Sequence, residues 1–221
     1  MMERPTESAH QKFSDELLQA ISPNRLEVDV DLPMLSGSDL ANLKKILRGE
    51  VIPPISSDKK RAINALTRSE KSIEASNILA RIVSDTQETT RIRALAALNL
   101  SMMPSEASEK ILLQNLTSAD KVVQAEVIKA LGRIGTAEAL DRLKALPSPD
   151  NDFVRNQLSF AKLAIAFRSS SEAGNDQDAE SILDIRWTTH AAKTVEGRQV
   201  RENMDAIWGS TYGITLNPDI A

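Results

Sequence analysis

An apolar pattern in the middle of the chain recurs every 31 residues. Ile92, Val123 and Val154 follow one another at that spacing and open the segments "IRALAALNLS", "VQAEVIKALG" and "VRNQLSFAKL". From each of these positions, mostly apolar or small residues return at offsets of four, seven and eleven, which is the spacing of one face of an α-helix. A single helix of this kind cannot bury its apolar face alone. The period therefore predicts copies of one unit stacked side by side.

A shorter amphipathic segment that ends in a polar turn precedes each of these helices. The three segments read "SNILARIVSD", "SEKILLQNLTS" and "AEALDRLKALPS". A looser copy of the whole unit comes earlier, as "ANLKKILRGE" and "DKKRAINALTR", and Pro53 and Pro54 exclude a helix across the join between them. The sequence therefore predicts a mainly α fold in which residues 38–168 form an α-solenoid of about four helix pairs. The side chains that this register buries are Leu98, Leu100, Val127, Leu131, Ile134 and Ile165.

The segment "VQAEVIKALG" and its two looser copies resemble HEAT-like repeats, and they are similar to the short bacterial type that also occurs in phycobilisome lyase families. The family pattern has an Asp just before the Val and an Arg just after it. Asp120 and Asp152 match the Asp in two units, and Arg93 and Arg155 match the Arg in two units. Gln124 stands where the third Arg would be, so we expect a break in the ladder of Asp and Arg side chains.

The residues before the solenoid, 1–37, predict a short helix and a strand. The helix is "SDELLQAI", with Ser14 as its N-cap. The strand lies in "RLEVDVDLP", where apolar residues alternate with Glu27, Asp29 and Asp31. Three carboxylates on one strand face can bind a cation or form a solvated acidic face. We favour the solvated face, because a cation site needs ligands from other segments as well.

The residues after the solenoid differ from it in composition. Residues 169–180, "SSSEAGNDQDAE", are polar and predict a linker. Residues 181–221 predict a small strand–helix–strand element, because apolar residues alternate in "SILDIRW" and "TYGITL" and follow helical spacing between them. We expect Trp187 and Trp208 to be shielded together there. Together with Tyr212 they are also candidates for stacking on a base or a ring-shaped ligand, but a cap on the solenoid is the preferred interpretation.

Composition argues against several classes of function. The chain has 0 cysteines, which removes disulfides, zinc–thiolate sites and thiol nucleophiles. It has no apolar run of the roughly 18 to 20 residues that a transmembrane helix needs. It has no G-x-S-x-G, phosphate-binding glycine loop or H-E-x-x-H, and its two histidines, His10 and His190, are far apart. The sequence predicts a cytoplasmic, non-catalytic protein with no membrane contact, cofactor or metal.

Charge is distributed unevenly along the chain, and this suggests how a partner binds. The net charge is −4, with −4 in residues 1–37, +5 in 38–168 and −5 in 169–221. Basic residues recur on the second helix of each pair, and we predict that they form a stripe that binds an acidic segment of another protein. The predicted stripe comprises Lys60, Arg61, Arg91, Arg93, Lys129, Arg133, Arg155 and Lys162.

Three functional classes fit a helical-repeat chain of this kind. The first is a protein-interaction scaffold, which we favour because stacked helix pairs present a long grooved face. The second is a bilin lyase or bilin chaperone, which only the family resemblance implies. The third is a nucleic-acid binder, since some HEAT-like DNA glycosylases use this architecture. Those proteins carry aromatic residues within the repeats, whereas the aromatic residues in 38–168 are only Phe153, Phe160 and Phe167, so nucleic acid is not the expected partner. Small-molecule ligands are not expected either.

Overall fold

The structure is a computed structural model that describes residues 12–22, 34–53 and 59–171. These residues form helices and no β-sheet, and the one isolated β-bridge among them joins Leu35 to Ser69. The helices are α1 (Asp15–Ala20), α2 (Gly37–Leu47), α3 (Lys59–Leu66), α4 (Ser72–Ser84), α5 (Thr90–Ser101), α6 (Glu106–Gln114), α7 (Lys121–Ile134), α8 (Ala137–Ala145) and α9 (Asp152–Ser171).

The first two helices are joined through one buried carboxylate. Ser14 caps α1, as predicted, because its Oγ accepts a hydrogen bond from the Leu17 N–H at 3.0 Å. The same hydroxyl donates to Asp39 Oδ1 at 2.5 Å. Asp39 also accepts from the backbone N–H of Ser36 and completes a capping box at the start of α2. One side chain therefore fixes the N-termini of both helices.

Helices α2 to α9 form four consecutive pairs, α2/α3, α4/α5, α6/α7 and α8/α9, as the period predicts. The second helices pack closely against one another, α5 against α3 and α7, and α7 against α9. The first helices contact one another less. We call α3, α5, α7 and α9 the inner helices and α2, α4, α6 and α8 the outer helices. This two-layer stack is an α-solenoid.

The hydrophobic core runs through the whole stack without interruption. Residues 92–101 of α5 are all buried, because this helix has neighbours in both layers. Five of the six side chains that the sequence predicts as buried have 0% exposure, namely Leu98, Leu100, Val127, Leu131 and Ile165. Ile134 corrects the prediction. It is only partly buried, because it is the last residue of α7 and packs at the edge of the core.

The N-caps of the inner helices keep the 31-residue period. Thr89, Asp120 and Asn151 are separated by that spacing, and each accepts backbone N–H bonds at the start of α5, α7 or α9. Asn151 is therefore the equivalent of Asp120 in the period, whereas the sequence interpretation matches Asp152 to the family's Asp. Asp152 is instead the first residue of α9. The cap comes one residue earlier than the family pattern suggests.

A second periodic contact ties α5, α7 and α9 to the backbone at or just after the end of the preceding outer helix. Arg93 Nε donates to the Val83 carbonyl at 3.0 Å, and Arg155 Nε donates to the Pro149 carbonyl at 3.1 Å. Gln124, between them in the period, donates from Nε2 to the Leu116 carbonyl at 3.2 Å. Arginine Nε and glutamine Nε2 are both N–H donors bonded to Cδ, so either residue can make this bond. For these carbonyl contacts, the expected break at Gln124 is absent.

A tight junction holds α7 against α9. A Cβ added to Gly135 would lie 2.5 Å from the Leu131 carbonyl oxygen and 2.9 Å from Ile165 Cδ1, so only glycine fits this position. Near the end of α9, the Arg168 guanidinium donates to the carbonyl oxygens of Gly132 at 2.5 Å and of Gly135 at 3.0 Å. A cation on the last carbonyls of a helix is favourable. The C-terminal ends of α7 and α9 therefore lie side by side.

Of the three other elements predicted outside the solenoid, only the linker is partly within the described residues. Helix α9 continues to Ser171, so the first residues of the predicted linker 169–180 are helical. The predicted strand at 26–32 and the predicted strand–helix–strand element at 181–221, with Trp187, Trp208 and Tyr212, lie outside the described residues. Within the described ranges, no helix combines the length and apolarity that crossing a membrane requires.

Candidate protein-interaction surface

Most of α7 is buried, and three of the four residues that reach solvent are basic. Residues 122–128 and 130–132 are buried. The residues of this helix that are exposed or half-buried are Lys121, Lys129, Arg133 and Ile134. Lys121 lies in the first turn and donates to Gln124 Oε1, whereas Lys129 and Arg133 are four residues apart on one face. That face is therefore the main cationic surface of α7.

The same face can be followed across the stack by the repeat register. Lys129 corresponds to Leu98 on α5 and Phe160 on α9, and Arg133 corresponds to Met102 and Ala164. In the first pair, each position lies 34 residues before its equivalent on α5, so Leu98 and Met102 correspond to Asn64 and Arg68. A hydrogen bond of 3.1 Å from Asn99 Nδ2 to Asn64 Oδ1 shows that α3 and α5 are neighbours. We call this face the inner strip. Its residues that reach solvent are Arg61, Asn64, Arg68, Arg91, Met102, Lys129 and Arg133.

Two of the predicted stripe residues bind backbone carbonyls within their own repeat. Arg93 is 9% exposed and bonded to Val83, and exposed Arg155 holds the carbonyls of Pro149 and Asp150. Both are therefore structural residues of the turn. Arg61 lies on the inner strip and also donates to the Ser22 carbonyl at 3.0 Å, which ties the end of α1 to α3.

Two further predicted residues lie on other faces. Lys60 is equivalent to Ala94 and Ala125, which are buried between helices. Lys162 is equivalent to Leu131, which is also buried. Lys162 is nevertheless half-exposed because no described repeat follows α9. By the repeat register, Arg61, Arg91, Lys129 and Arg133 thus lie on the inner strip, and the other four residues lie elsewhere.

The end of the stack at α9 exposes positions that are buried in the preceding repeat. Leu163 is 55% exposed, whereas its equivalent on α7, Gly132, is buried. Ser159 is exposed, whereas its equivalent, Ile128, has 0% exposure. We call this face of α9 the open end. It is a second surface, separate from the inner strip.

Polar side chains are buried beneath the inner strip. Glu126 and Gln157 occupy equivalent positions on α7 and α9 and are 1% and 3% exposed. The Oε1 atom of Gln157 is buried and accepts no hydrogen bond from the described residues. Buried acceptors are normally satisfied by a donor, so an unsatisfied oxygen at this position is unusual.

The described residues do not form a catalytic or metal-binding constellation. No group of three or more His, Cys, Asp or Glu side chains with metal-binding geometry occurs within 12–22, 34–53 and 59–171. An open groove beside the end of α2 is lined by residues 46–49, 51–53 and Lys59. Lys59 forms an ion pair with Glu88 between neighbouring pairs of the stack, so its charge has a structural role there.

Among the residues that the structure describes, the groups with clearly shifted pKa values lie outside the inner strip. Burial raises the pKa of Asp39, but hydrogen bonds from Ser14 and Ser36 outweigh burial and leave that pKa below its ordinary value. The hydrogen bond from Lys44 lowers the pKa of Glu74. Both carboxylates join helices at the N-terminal side of the stack. Their shifts therefore reflect structural contacts.

Comparison with protein families supports the repeat assignment. Residues 75–161 match the family of HEAT repeats. This segment is therefore similar to HEAT repeats. The match runs from α4 into α9 and covers the inner strip on α5 and α7. It concerns HEAT repeats in general, so it does not extend to phycobilisome lyases or to a bacterial subtype. Comparisons with curated proteins and with solved structures find no match.

HEAT repeats commonly mediate protein–protein interactions and are generally non-catalytic. The sequence alone identified the basic residues of the inner helices, but it missed Met102, Arg68 and Gln157. The repeat register contains this information, because Met102 and Arg68 are equivalent to Arg133. The sequence signals the turn-binding roles of Arg93 and Arg155 only weakly. The signal is that Arg93, Gln124 and Arg155, which share one position of the period, all carry an N–H donor bonded to Cδ.

Proposed function

We propose that this chain is a non-catalytic adaptor whose inner strip binds an acidic segment of another protein. The observation that carries the proposal is the exposure of α7. Lys129 and Arg133 are its solvent-reaching residues on the inner strip, on a helix that is otherwise largely buried. Exposed Arg91 on α5 extends this basic surface toward the preceding repeat.

The inner strip is suited to an elongated partner. Inner helices in contact lie about 8–10 Å apart, so α5, α7 and α9 together offer a surface roughly 20 Å wide. An extended peptide advances about 3.3 Å per residue, so about six residues cross it. A peptide with two or three carboxylates in that length can reach cations on neighbouring helices.

Two other functions receive less support. A bilin-binding role rests on the phycobilisome lyase resemblance, and the family match adds nothing specific to it. A nucleic-acid role requires a more basic protein, whereas this chain has a net charge of −4 and a pI of about 5.4. Arg93 and Arg155 also make their contacts within the fold. An acidic protein segment, which needs only a local basic surface, fits these features better.

The test compares three tagged proteins as baits in lysate from the native host. The first is the wild type, the second is Lys129→Glu/Arg133→Glu, and the third is Lys110→Glu/Lys144→Glu. The third pair changes charge by the same amount on exposed residues of the outer helices α6 and α8. We expect at least one protein with an acidic stretch to be captured by the wild type and the outer-helix variant but lost from the inner-strip variant.

The captured protein is then purified and its affinity is measured directly. Reversal of the two charges should weaken binding by about 1–3 kcal/mol without changing the circular dichroism of the adaptor. Binding should also weaken between 50 and 500 mM salt, where the screening length falls from about 14 to about 4 Å. Equal capture by both variants, or an affinity that salt does not change, contradicts the proposal.

A further inference from the structure

We propose that the acidic C-terminal segment of this same chain, residues 172–221, docks on the inner strip and competes there with the partner. The regulatory part of this inference rests on the proposed function. The docking itself does not, because it concerns the isolated protein. Charge, the position where the described chain ends and a buried acceptor support it independently.

The charge of the segment complements that of the strip. Residues 172–185 contain the carboxylates Glu172, Asp176, Asp178, Glu180 and Asp184, with no Lys or Arg before Arg186. The inner strip carries Arg61, Arg68, Arg91, Lys129 and Arg133, with Glu126 as its buried carboxylate. Opposite charges on two parts of one chain attract at high effective concentration, so even weak pairs favour docking.

The segment follows directly after α9, whose end packs beside the end of α7. Arg168, three residues before the end of α9, binds the carbonyl oxygens of Gly132 and Gly135. Arg133 lies between those two glycines in the sequence. The last turns of α9 and α7 therefore lie beside one another, and α7 carries Arg133 in that turn. The first carboxylates that follow α9 are only a few residues away along the chain.

The length of the segment is sufficient to cover the whole strip. Fourteen extended residues, 172–185, reach about 45 Å at roughly 3.3 Å per residue. Four inner helices spaced by about 8–10 Å span roughly 30 Å. The acidic part alone can therefore cross from α9 to α3, and the remaining residues of the segment add further reach.

Gln157 supplies an observation that does not depend on charge. It is 3% exposed, and its Oε1 has no donor among the described residues. Its neighbour at the next position of the strip, Phe160, is 6% exposed. Under the proposal, an N–H of the docked segment pairs with this oxygen, so part of the segment lies at Gln157 on α9.

Tryptophan fluorescence reports directly on the segment, because the chain's two tryptophans, Trp187 and Trp208, both lie in it. The purified full chain is compared with Lys129→Glu/Arg133→Glu, with Lys110→Glu/Lys144→Glu, and with Ser159→Glu/Lys162→Glu on the open end. We expect lower anisotropy and stronger iodide quenching only in the inner-strip variant. Its docking equilibrium should fall about fivefold to thirtyfold, because each reversed charge both removes an attraction and adds a repulsion.

Zero-length carbodiimide cross-linking with mass spectrometry locates the segment on the surface. In the wild type, we expect amide links between Lys129 and carboxylates of residues 172–184. Arg133→Lys keeps the charge and adds an amine, so it should add a second link to the same carboxylates. Lys110 and Lys144 on the outer helices should form none with them.

The outcomes separate docking from the proposed function. Links from Lys162 in place of Lys129, with fluorescence that responds only to the open-end variant, overturn docking on the inner strip. Fluorescence unchanged in every variant, together with no link to Lys129, overturns it as well. Partner capture is measured in a different experiment, so either inference can fail alone. Where both hold, Asp176→Asn/Asp178→Asn/Glu180→Gln should increase capture of the partner, and unchanged capture contradicts competition.

Discussion

Arg93 on α5 donates a hydrogen bond from Nε to the carbonyl oxygen of Val83, near the end of α4, at 3.0 Å. Gln124 makes the corresponding bond to Leu116 at 3.2 Å, one repeat later. In both cases the donor is the nitrogen bonded to Cδ, and the acceptor is a carbonyl left without a helical partner near the end of the preceding helix. The bond therefore requires a donor at this position and does not require a positive charge.

This equivalence predicts different effects for two substitutions of Arg93. Arg93→Ala leaves a buried carbonyl without its donor and should lower the free energy of unfolding by about 1–3 kcal/mol. Arg93→Gln retains a donor at the same distance along the side chain and should lose less than about 1 kcal/mol. Urea unfolding followed by circular dichroism measures both, with exposed Arg91→Ala as a control that stays within about 0.5 kcal/mol. Equal losses for Ala and Gln would show that the charge matters more than the bond.

Two glycines at helix ends should respond oppositely to alanine. A Cβ at Gly135 meets a backbone oxygen at 2.5 Å and Ala139 Cβ at 2.8 Å, so Gly135→Ala should cost about 1–3 kcal/mol in urea unfolding. At Gly37, in the first turn of α2, the nearest atoms belong to the flexible side chain of Lys71. Gly37→Ala should therefore be neutral or stabilise the protein by up to about 1 kcal/mol. A neutral Gly135→Ala would mean that α7 and α9 are less tightly joined than the structure shows.

Asp39 should make the stability of the protein depend on acid. Its hydrogen bonds from Ser14 and Ser36 hold its folded pKa below the ordinary value, despite the opposing effect of burial. The stabilisation is therefore present above the unfolded pKa, about 3.9, and is lost as pH falls through the folded pKa. Asp39→Asn should lower the unfolding free energy by about 1–2 kcal/mol at pH 7 and flatten its decrease below about pH 4.

The comparison for Asp39 is Asp141→Asn, which changes an exposed carboxylate on α8. Urea unfolding is recorded for wild type and both variants from pH 7 to about pH 2.5. We expect the Asp39→Asn curve to converge with the wild-type curve in acid, while Asp141→Asn follows the wild type throughout. A constant difference at every pH would assign the effect of Asp39 to packing and not to its charge.

Two leucines distinguish the core from the open end. Leu131 has 0% exposure and Leu163 is 55% exposed. Leu131→Ala should destabilise the protein by about 2–5 kcal/mol, because the cavity forms where α7 packs between its neighbours. Leu163→Ala should change stability by no more than about 0.5 kcal/mol. A loss below about 0.5 kcal/mol for Leu131→Ala would refute the register of the repeat.

The sequence predicts the helix pairs well because helical periodicity and N-cap chemistry are local properties. Ser14 and the five fully buried core residues are of this kind. Contacts between distant segments are not local. Glu109, for example, accepts bonds from the backbone N–H of Thr136 at 2.7 Å and from its hydroxyl at 2.8 Å, which anchors the N-cap residue of α8 to the neighbouring outer helix. A pattern of single residues does not show which distant segment a side chain will meet.

The predicted stripe shows the same limit at the candidate site. Counting basic residues along the inner helices identifies Lys129 and Arg133 correctly as surface residues, but it does not separate them from Arg93. Whether a basic residue faces solvent or the turn depends on the direction of its side chain around the helix. That direction follows from the repeat register and from where the outer helices pack. Lys162 is a further case, because it reaches solvent only where the described stack ends.

The 31-residue spacing of the caps and of the turn-binding donors bears on how a gene for such a chain can gain further repeats. Each repeat satisfies its own helix ends with Thr89, Asp120 or Asn151, and with Arg93, Gln124 or Arg155. A tandem duplication of one complete 31-residue unit would therefore copy both devices together. The new unit would meet its neighbours through faces that already fit one another, so a single genetic event could lengthen the stack without a compensating substitution at any junction.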